Sequence, residues 1–304
     1  MIEIRNVTKS FGVDSSRICA LNNVTARMED GHVFGLVGTN GAGKSTLMRC
    51  ICGIYKPEGG EVYIDGEPVY ENPEVKAKVF YISDDQYFFP NGTPREMMHF
   101  YKTMYPSFDE ERFYHLMEVL NLDPRRQINT FSRGMKKQLS VVFGVCSGTK
   151  YLLCDETFDG LDPVMRQAVK RLFISEMSDK KMTPVIASHN LRELEDICEQ
   201  VGLLHKGGIL FTKDLEEMKL GMYKLQVVFK NPEDARTLAR SFEVVSEEQR
   251  GSLYTMTLRG DNDEITNVIA TLDPVFYEIL PLTLEEIFIS ETEVLGYDFK
   301  DLNV

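Results

Sequence analysis

A chain of 304 residues, 43% hydrophobic and 27% charged, can bury a full core and leave enough over for a second, smaller one. Its formal net charge of −13 argues against a general nucleic-acid binder and against direct adhesion to anionic lipid, since both draw on a surplus of Lys and Arg. No run of 18 apolar residues occurs and the opening MIEIRNVTKSFG is charged where a signal peptide would be apolar, so neither membrane insertion nor secretion is expected.

Residues 1–37 run as short alternating stretches that end in VFGLV, the pattern of strands leading to a buried one. GTNGAGKST interrupts at 38–46, and LMRCICGIY continues as a helix. Short apolar runs follow at KVFYIS (78–83), YLLC (151–154), TPVIAS (183–188) and VGLLH (201–205), several separated by helical stretches such as PVMRQAVKRLFISEM. This alternation predicts an α/β fold with a mostly parallel sheet, antiparallel strands at its N-terminal side. Between about 91 and 147 three helical stretches succeed one another without a strand, which predicts a helical insertion. After residue 215 the order becomes β-α-β-β-α-β, so residues 1–215 are expected to form the main domain and 216–304 a small, acidic α+β accessory domain of ferredoxin-like type. The six cysteines show no C-x-x-C pair and read as free, mostly buried thiols.

GTNGAGKS satisfies G-x-x-x-x-G-K-[ST] between an expected strand and an expected helix. In that context Gly38, Thr39, Asn40, Gly41, Ala42, Gly43, Lys44, Ser45 and Thr46 form a phosphate cradle. The glycines let successive N–H groups face a phosphate chain, Lys44 reaches the β- and γ-phosphates, and the Ser45 hydroxyl ligates Mg²⁺. Directly after YLLC stand Asp155, Glu156, Asp159 and Asp162, a density of like charge that calls for a cation. Asp155 fits an acid that holds Mg²⁺, and Glu156 the group that orients and deprotonates an attacking water. A nucleoside triphosphate with Mg²⁺ is therefore expected here.

A P-loop and an Asp-Glu pair fit several NTPase classes, and FSRGMKKQLSV at 131–141 narrows the choice. With this stretch the chain resembles the nucleotide-binding subunit of an ABC (ATP-binding cassette) transporter of exporter type. The family's LSGGQ signature falls on FSRGM, where only Ser132 and Gly134 match; Ser132 is also a good helix N-cap in its own right. The resemblance implies that the nucleotide is ATP, that Phe11 stacks on adenine, that DGLD at 159–162 is the D-loop and that His189 is the switch histidine. The family's glutamine ahead of the helical insertion aligns with Asp84 rather than Gln86, so either residue is a candidate there, Asp84 also as a metal ligand. The resemblance further implies a head-to-tail dimer, homo- or heterodimeric, around two ATP molecules. It implies a separate membrane permease as partner and a cytoplasmic, peripheral place on the inner face of the cell membrane. A soluble ABC ATPase acting on a macromolecule such as the ribosome or DNA is the alternative. It is disfavoured by the single cassette and the lack of a coiled-coil insertion. A nucleotide sensor without turnover is disfavoured by the intact Asp155-Glu156 pair. The C-terminal LTLEEIFISET resembles the tail of exporter-type subunits, and no catalytic constellation is visible in that region.

Overall fold

The computed structural model describes residues 1–180, 182–219, 221–231 and 233–294, and they divide into two units, Met1–Lys213 and Asp214 onward. In the first unit β1 (Ile2–Phe11) pairs antiparallel with β2 (Ile18–Met28), placing Ile2, Ile4, Val7, Leu21 and Val24 on one buried face. The chain then enters β3 (Phe34–Val37), four residues all buried, and turns through the glycine-rich loop into α1 (Lys44–Ile51). β4 (Gly59–Ile64) returns to pair antiparallel with β1 and is followed by the two-residue β5 (Glu67–Pro68) and the single turn α2 (Pro73–Lys76). β4 is not announced by the sequence pattern, and the reason is local: only Val62 and Ile64 of GGEVYI are buried, too little apolar content for a periodicity signal.

The helical insertion comes next. After β6 (Val79–Ile82), α3 (Pro94–Met104) opens on a capping box in which Thr93 and Glu96 satisfy each other's backbone N–H groups, with Pro94 at the first helical position. α4 (Glu110–Val119) is capped by Asp109, and α5 (Arg133–Cys146) by Ser132. α5 packs most of its second half inward, from Leu139 to Cys146. Stacking of Phe113 on Phe143, with ring centroids 5.6 Å apart, ties α4 to α5.

Beyond the insertion the α/β alternation resumes with β7 (Tyr151–Asp155), α6 (Pro163–Lys180), β8 (Thr183–Ser188), α7 (Leu191–Glu195), β9 (Gln200–His205) and β10 (Gly208–Asp214). The sheet order is β10-β9-β3-β8-β7-β6, and β3, β6, β7, β8 and β9 pair parallel. Strands covered on both faces read as continuous apolar runs, which is why VFGLV, YLLC and TPVIAS could be located in the sequence. Because β3, β7 and β8 run the same way, the segments that leave their C-terminal ends, the P-loop, Asp155-Glu156 and Ser188-His189, emerge along one edge, where open α/β sheets bind ligands.

The second unit follows α8 (Leu215–Lys219) with β11 (Met222–Val228), α9 (Glu233–Ser241), β12 (Glu243–Arg250), β13 (Leu253–Arg259), α10 (Asn262–Thr271), β14 (Phe276–Leu280) and α11 (Leu284–Val294). Its antiparallel sheet has the order β12-β13-β11-β14, the split β-α-β arrangement. Ala235 and Leu238 of α9 and Ile265 and Ile269 of α10 share a separate core with Leu225, Val227, Met256 and Leu258.

Candidate active site

The loop between β3 and α1 is shaped by its glycines. Gly43, the N-cap of α1, has φ +109°, and a Cβ there would stand 2.4 Å from the carbonyl oxygen of Ala20. Only glycine takes that conformation and lets the backbone pass so close. The loop borders a cavity of about 250 Å³ lined by Thr39, Asn40, Gly41 and Gly43 to Thr46, with Ala20, Asp84 and Glu156 on its other sides. Lys44 is almost fully buried; its Nζ donates to the carbonyls of Gly38 (2.6 Å) and Thr39 (3.3 Å) and lies 3.2 Å from Oε1 of Glu156.

Glu156 is the centre of the polar arrangement. Its other oxygen meets Nδ1 of His189 at 2.9 Å, so two of the residues expected to serve catalysis, 33 positions apart in the chain, are in direct contact. Its backbone sits at φ +48°, unusual for a residue with a side chain. Asp155 is wholly buried. Tyr81 of β6 donates to Oδ2 at 2.9 Å, while Oδ1 has no hydrogen-bond partner among the described residues. Burial pushes the Asp155 carboxyl up from the ordinary aspartate range, the hydroxyls of Ser45 and Tyr81 oppose this, and the charges of Glu156 and Asp84 add to it. An orphaned carboxylate oxygen next to Ser45 in an acid-rich pocket is the donor set a hard cation takes. Magnesium needs only one or two protein oxygens, with phosphate and water completing its shell. Ser45 and Asp155 therefore fit Mg²⁺.

The two candidates ahead of the helical insertion separate. Asp84 lines the cavity, its Oδ1 3.0 Å from Nζ of Lys137. Gln86 is not among the lining residues, and its Nε2 is buried without a hydrogen-bond partner among the described residues. Phe11 ends β1 and meets Tyr55 edge to face at 5.3 Å, remaining 39% exposed. Ser132 is exposed and caps α5 by accepting from the N–H of Met135 (3.2 Å); neither it nor Gly134 lines the cavity. In the same chain the signature touches the D-loop, through Arg133 to Asp159 at 2.9 Å.

Tyr81, Tyr55 and Lys137 contact Asp155, Phe11 and Asp84 without belonging to any of the motifs that mark the site in the sequence. For Lys137 a signal exists: it falls on the helical stripe of Val141 and Val145, all buried, and a lysine on an inward stripe has to be paired.

Known proteins resemble this chain in sequence and in fold. The ABC transporter family profile matches residues 21–159. The ABC transporter ATP-binding protein YtrB of Bacillus subtilis is 30% identical over 291 residues, covering 96% of this chain and 98% of the relative. The bacitracin transport ATP-binding protein BcrA of Bacillus licheniformis is 28% identical over 222 residues, 72% of this chain and 71% of its own length. Among solved structures, a dimeric ATP-binding cassette in a post-hydrolysis state with ADP and phosphate superposes with a TM-score of 0.64 at 22% identity, over 71% of this chain and 99% of that one, a likeness of fold. With sequence similarity running nearly the full length of both chains, this protein belongs to the ABC transporter family, among its ATP-binding, ATP-hydrolysing subunits.

Proposed function

We propose that this subunit closes head to tail with a second ATPase subunit around two Mg-ATP and couples hydrolysis to transport through a separate membrane permease, with export as the direction. The observation that carries the dimer is the incompleteness of the cavity: its walls come from the P-loop, Asp84 and Glu156, while Ser132 and Gly134 stand outside it on an exposed helix start. Placed against the phosphates of a second copy, the N-terminus of α5 would supply donors where negative charge develops. No helix among the described residues is long and apolar enough to cross a membrane, so the transport path would come from the partner. The likeness to a bacitracin transport ATP-binding protein supports a transporter over a soluble factor acting on a macromolecule.

Within the site, Lys44 neutralises the β- and γ-phosphates and orients them toward Glu156. Glu156 accepts the proton of the attacking water, and His189, on its other oxygen, fixes the carboxylate and contacts the transferred phosphoryl. Mg²⁺ held by Ser45 and Asp155, with Asp84 near, would offset the charge on the phosphates. Phe11 provides a face for adenine.

Glu156→Gln tests the reading. The amide keeps the size of the side chain but takes no proton, so Mg-ATP binding should survive while turnover falls by about 10² to 10⁴. The variant should run as a dimer on gel filtration with Mg-ATP and as a smaller species without it. A single elution position under both conditions, with binding intact, would count against the ATP-closed dimer.

A further inference from the structure

We infer that Lys137 is a positioning residue for ATP hydrolysis, holding both Glu156 and Asp84 in place from the helix that begins at the signature. Its side chain is 2% exposed, and a buried ammonium is tolerated only when its protons are taken up. Nζ donates to the backbone carbonyl of Glu156 at 2.6 Å and to Oδ1 of Asp84 at 3.0 Å. The first bond matters because of where Glu156 sits. A residue with a side chain at φ +48° is strained in the left-handed region and stays there only if its surroundings hold it. Three bonds do so, from opposite sides. The Glu156 N–H donates to the carbonyl of Ala187 on β8 (3.0 Å), and the Glu156 carbonyl accepts from the Asp159 N–H within its own turn (3.2 Å) and, more closely, from Lys137 (2.6 Å), the tie that reaches it from α5. With its backbone pinned at both ends, the carboxylate is aimed between Lys44 (3.2 Å) and His189 (2.9 Å).

The second bond handles charge. Asp84 and Glu156 line the cavity and both act by their charge on the buried Asp155, and among the described residues Lys44 forms its ion pair with Glu156. Lys137 supplies the further positive charge that lets Asp84 stand at the wall without adding its full repulsion. Since Lys137 lies on α5, five residues past Ser132, any shift of that helix on engaging a second copy would be passed to the Glu156 carbonyl through one bond.

The inference rests on Glu156 being the group that activates water, and the experiment separates the two. ATP affinity by calorimetry, kcat and KM are measured on the full chain for Lys137→Met, Lys137→Gln, Glu156→Gln and the Lys137→Met/Glu156→Gln double variant. Lys137→Met should lower kcat about 10-fold or more with ATP affinity within about threefold of the parent, because binding runs through the P-loop while only the aim of Glu156 is lost. Lys137→Gln keeps a donor but not the charge and should fall between; if Lys137→Met does not fold, Lys137→Gln carries the same test. In the Glu156→Gln background, Lys137→Met should leave the residual rate unchanged, because a positioning residue acts through the group it positions. Unchanged kcat in the folded single variants overturns the inference. So does a joint loss of affinity and kcat, or a second full decrement in the double variant. Wild-type turnover in Glu156→Gln alone would overturn instead the assignment of Glu156.

Discussion

At the scale of single residues, the site is arranged for charge that only a ligand brings. Asp155 is buried to the last square ångström with one oxygen unpartnered among the described residues, next to two further carboxylates. Such a group destabilises the free protein, and its removal should show it. Asp155→Asn fits the same space and removes the charge. It is expected to raise the melting temperature of nucleotide-free protein by about 2–4 °C, for a gain of about 1 kcal/mol, while abolishing magnesium-dependent ATP hydrolysis. A lower melting temperature measured by calorimetry without nucleotide would mean that the carboxylate supports the fold rather than burdening it. The residues legible in the sequence were those whose chemistry depends on near neighbours in the chain: Lys44 follows its glycines, and Asp155 and Glu156 end an apolar run. Lys137, Tyr81 and Tyr55 act on residues tens of positions away, Tyr81 on Asp155 and Lys137 on Asp84, and no local spacing announces such pairs.

At the scale of elements, the parallel strands were legible because burial on both faces makes them uniformly apolar, and the helical insertion because three helical stretches follow one another with no strand between; the structure adds their caps at Thr93-Glu96, Asp109 and Ser132. The N-terminal antiparallel sheet was only partly so: β4 stands on two buried side chains. That sheet shares an apolar core with the parallel one, and a polar cluster adds to the join. Asp65, at the turn after β4, accepts from Lys150 (2.6 Å) and Tyr151 (2.7 Å) at the start of β7 and from Lys78 (3.1 Å) before β6, and it pairs with the N-terminal amine. Partial burial alone would raise the Asp65 carboxyl, but the bonds from Lys150, the N-terminal amine, Tyr151 and Lys78 win and hold it well below the usual carboxylate range. A depressed folded-state pKa means stability that is present above the unfolded value, about pH 3.9, and lost as pH falls through the folded one. Asp65→Asn should therefore melt a few degrees below the parent at neutral pH, with the gap closing as pH drops below about 4. A gap that does not narrow under acid would show that size or packing at Asp65, not its charge, holds the sheets together.

At the scale of the whole molecule, the two units differ in what the sequence discloses. The first carries its chemistry in motifs. The second shows its β-α-β-β-α-β order and its own core, yet offers no residue pattern that names a ligand. The proposed dimer is decided in the first unit, at Gly134. A Cβ there would meet only the Gly160 carbonyl oxygen at 3.5 Å and the Ser132 hydroxyl at 3.9 Å, both ordinary contacts, so Gly134→Asp fits its own chain. If Ser132 were only a helix cap, an acid in the first turn of α5 would be neutral or slightly stabilising. If the α5 start faces the γ-phosphate of a second copy, the same acid places like charge in a water-poor site, and dimerisation and hydrolysis should both fail while nucleotide still binds the monomer. Lys44→Ala fails for the opposite reason, weakening ATP binding by about 10- to 100-fold through loss of a charged phosphate contact. Mixing the two inactive proteins then separates the hypotheses. In a mixed dimer one composite site joins the Lys44→Ala P-loop to the Gly134→Asp signature and carries both lesions, while the other joins an intact P-loop to an intact signature. Partial recovery of ATPase activity on mixing is the expected result, and its absence, with both variants folded and able to associate, would leave shared sites without support.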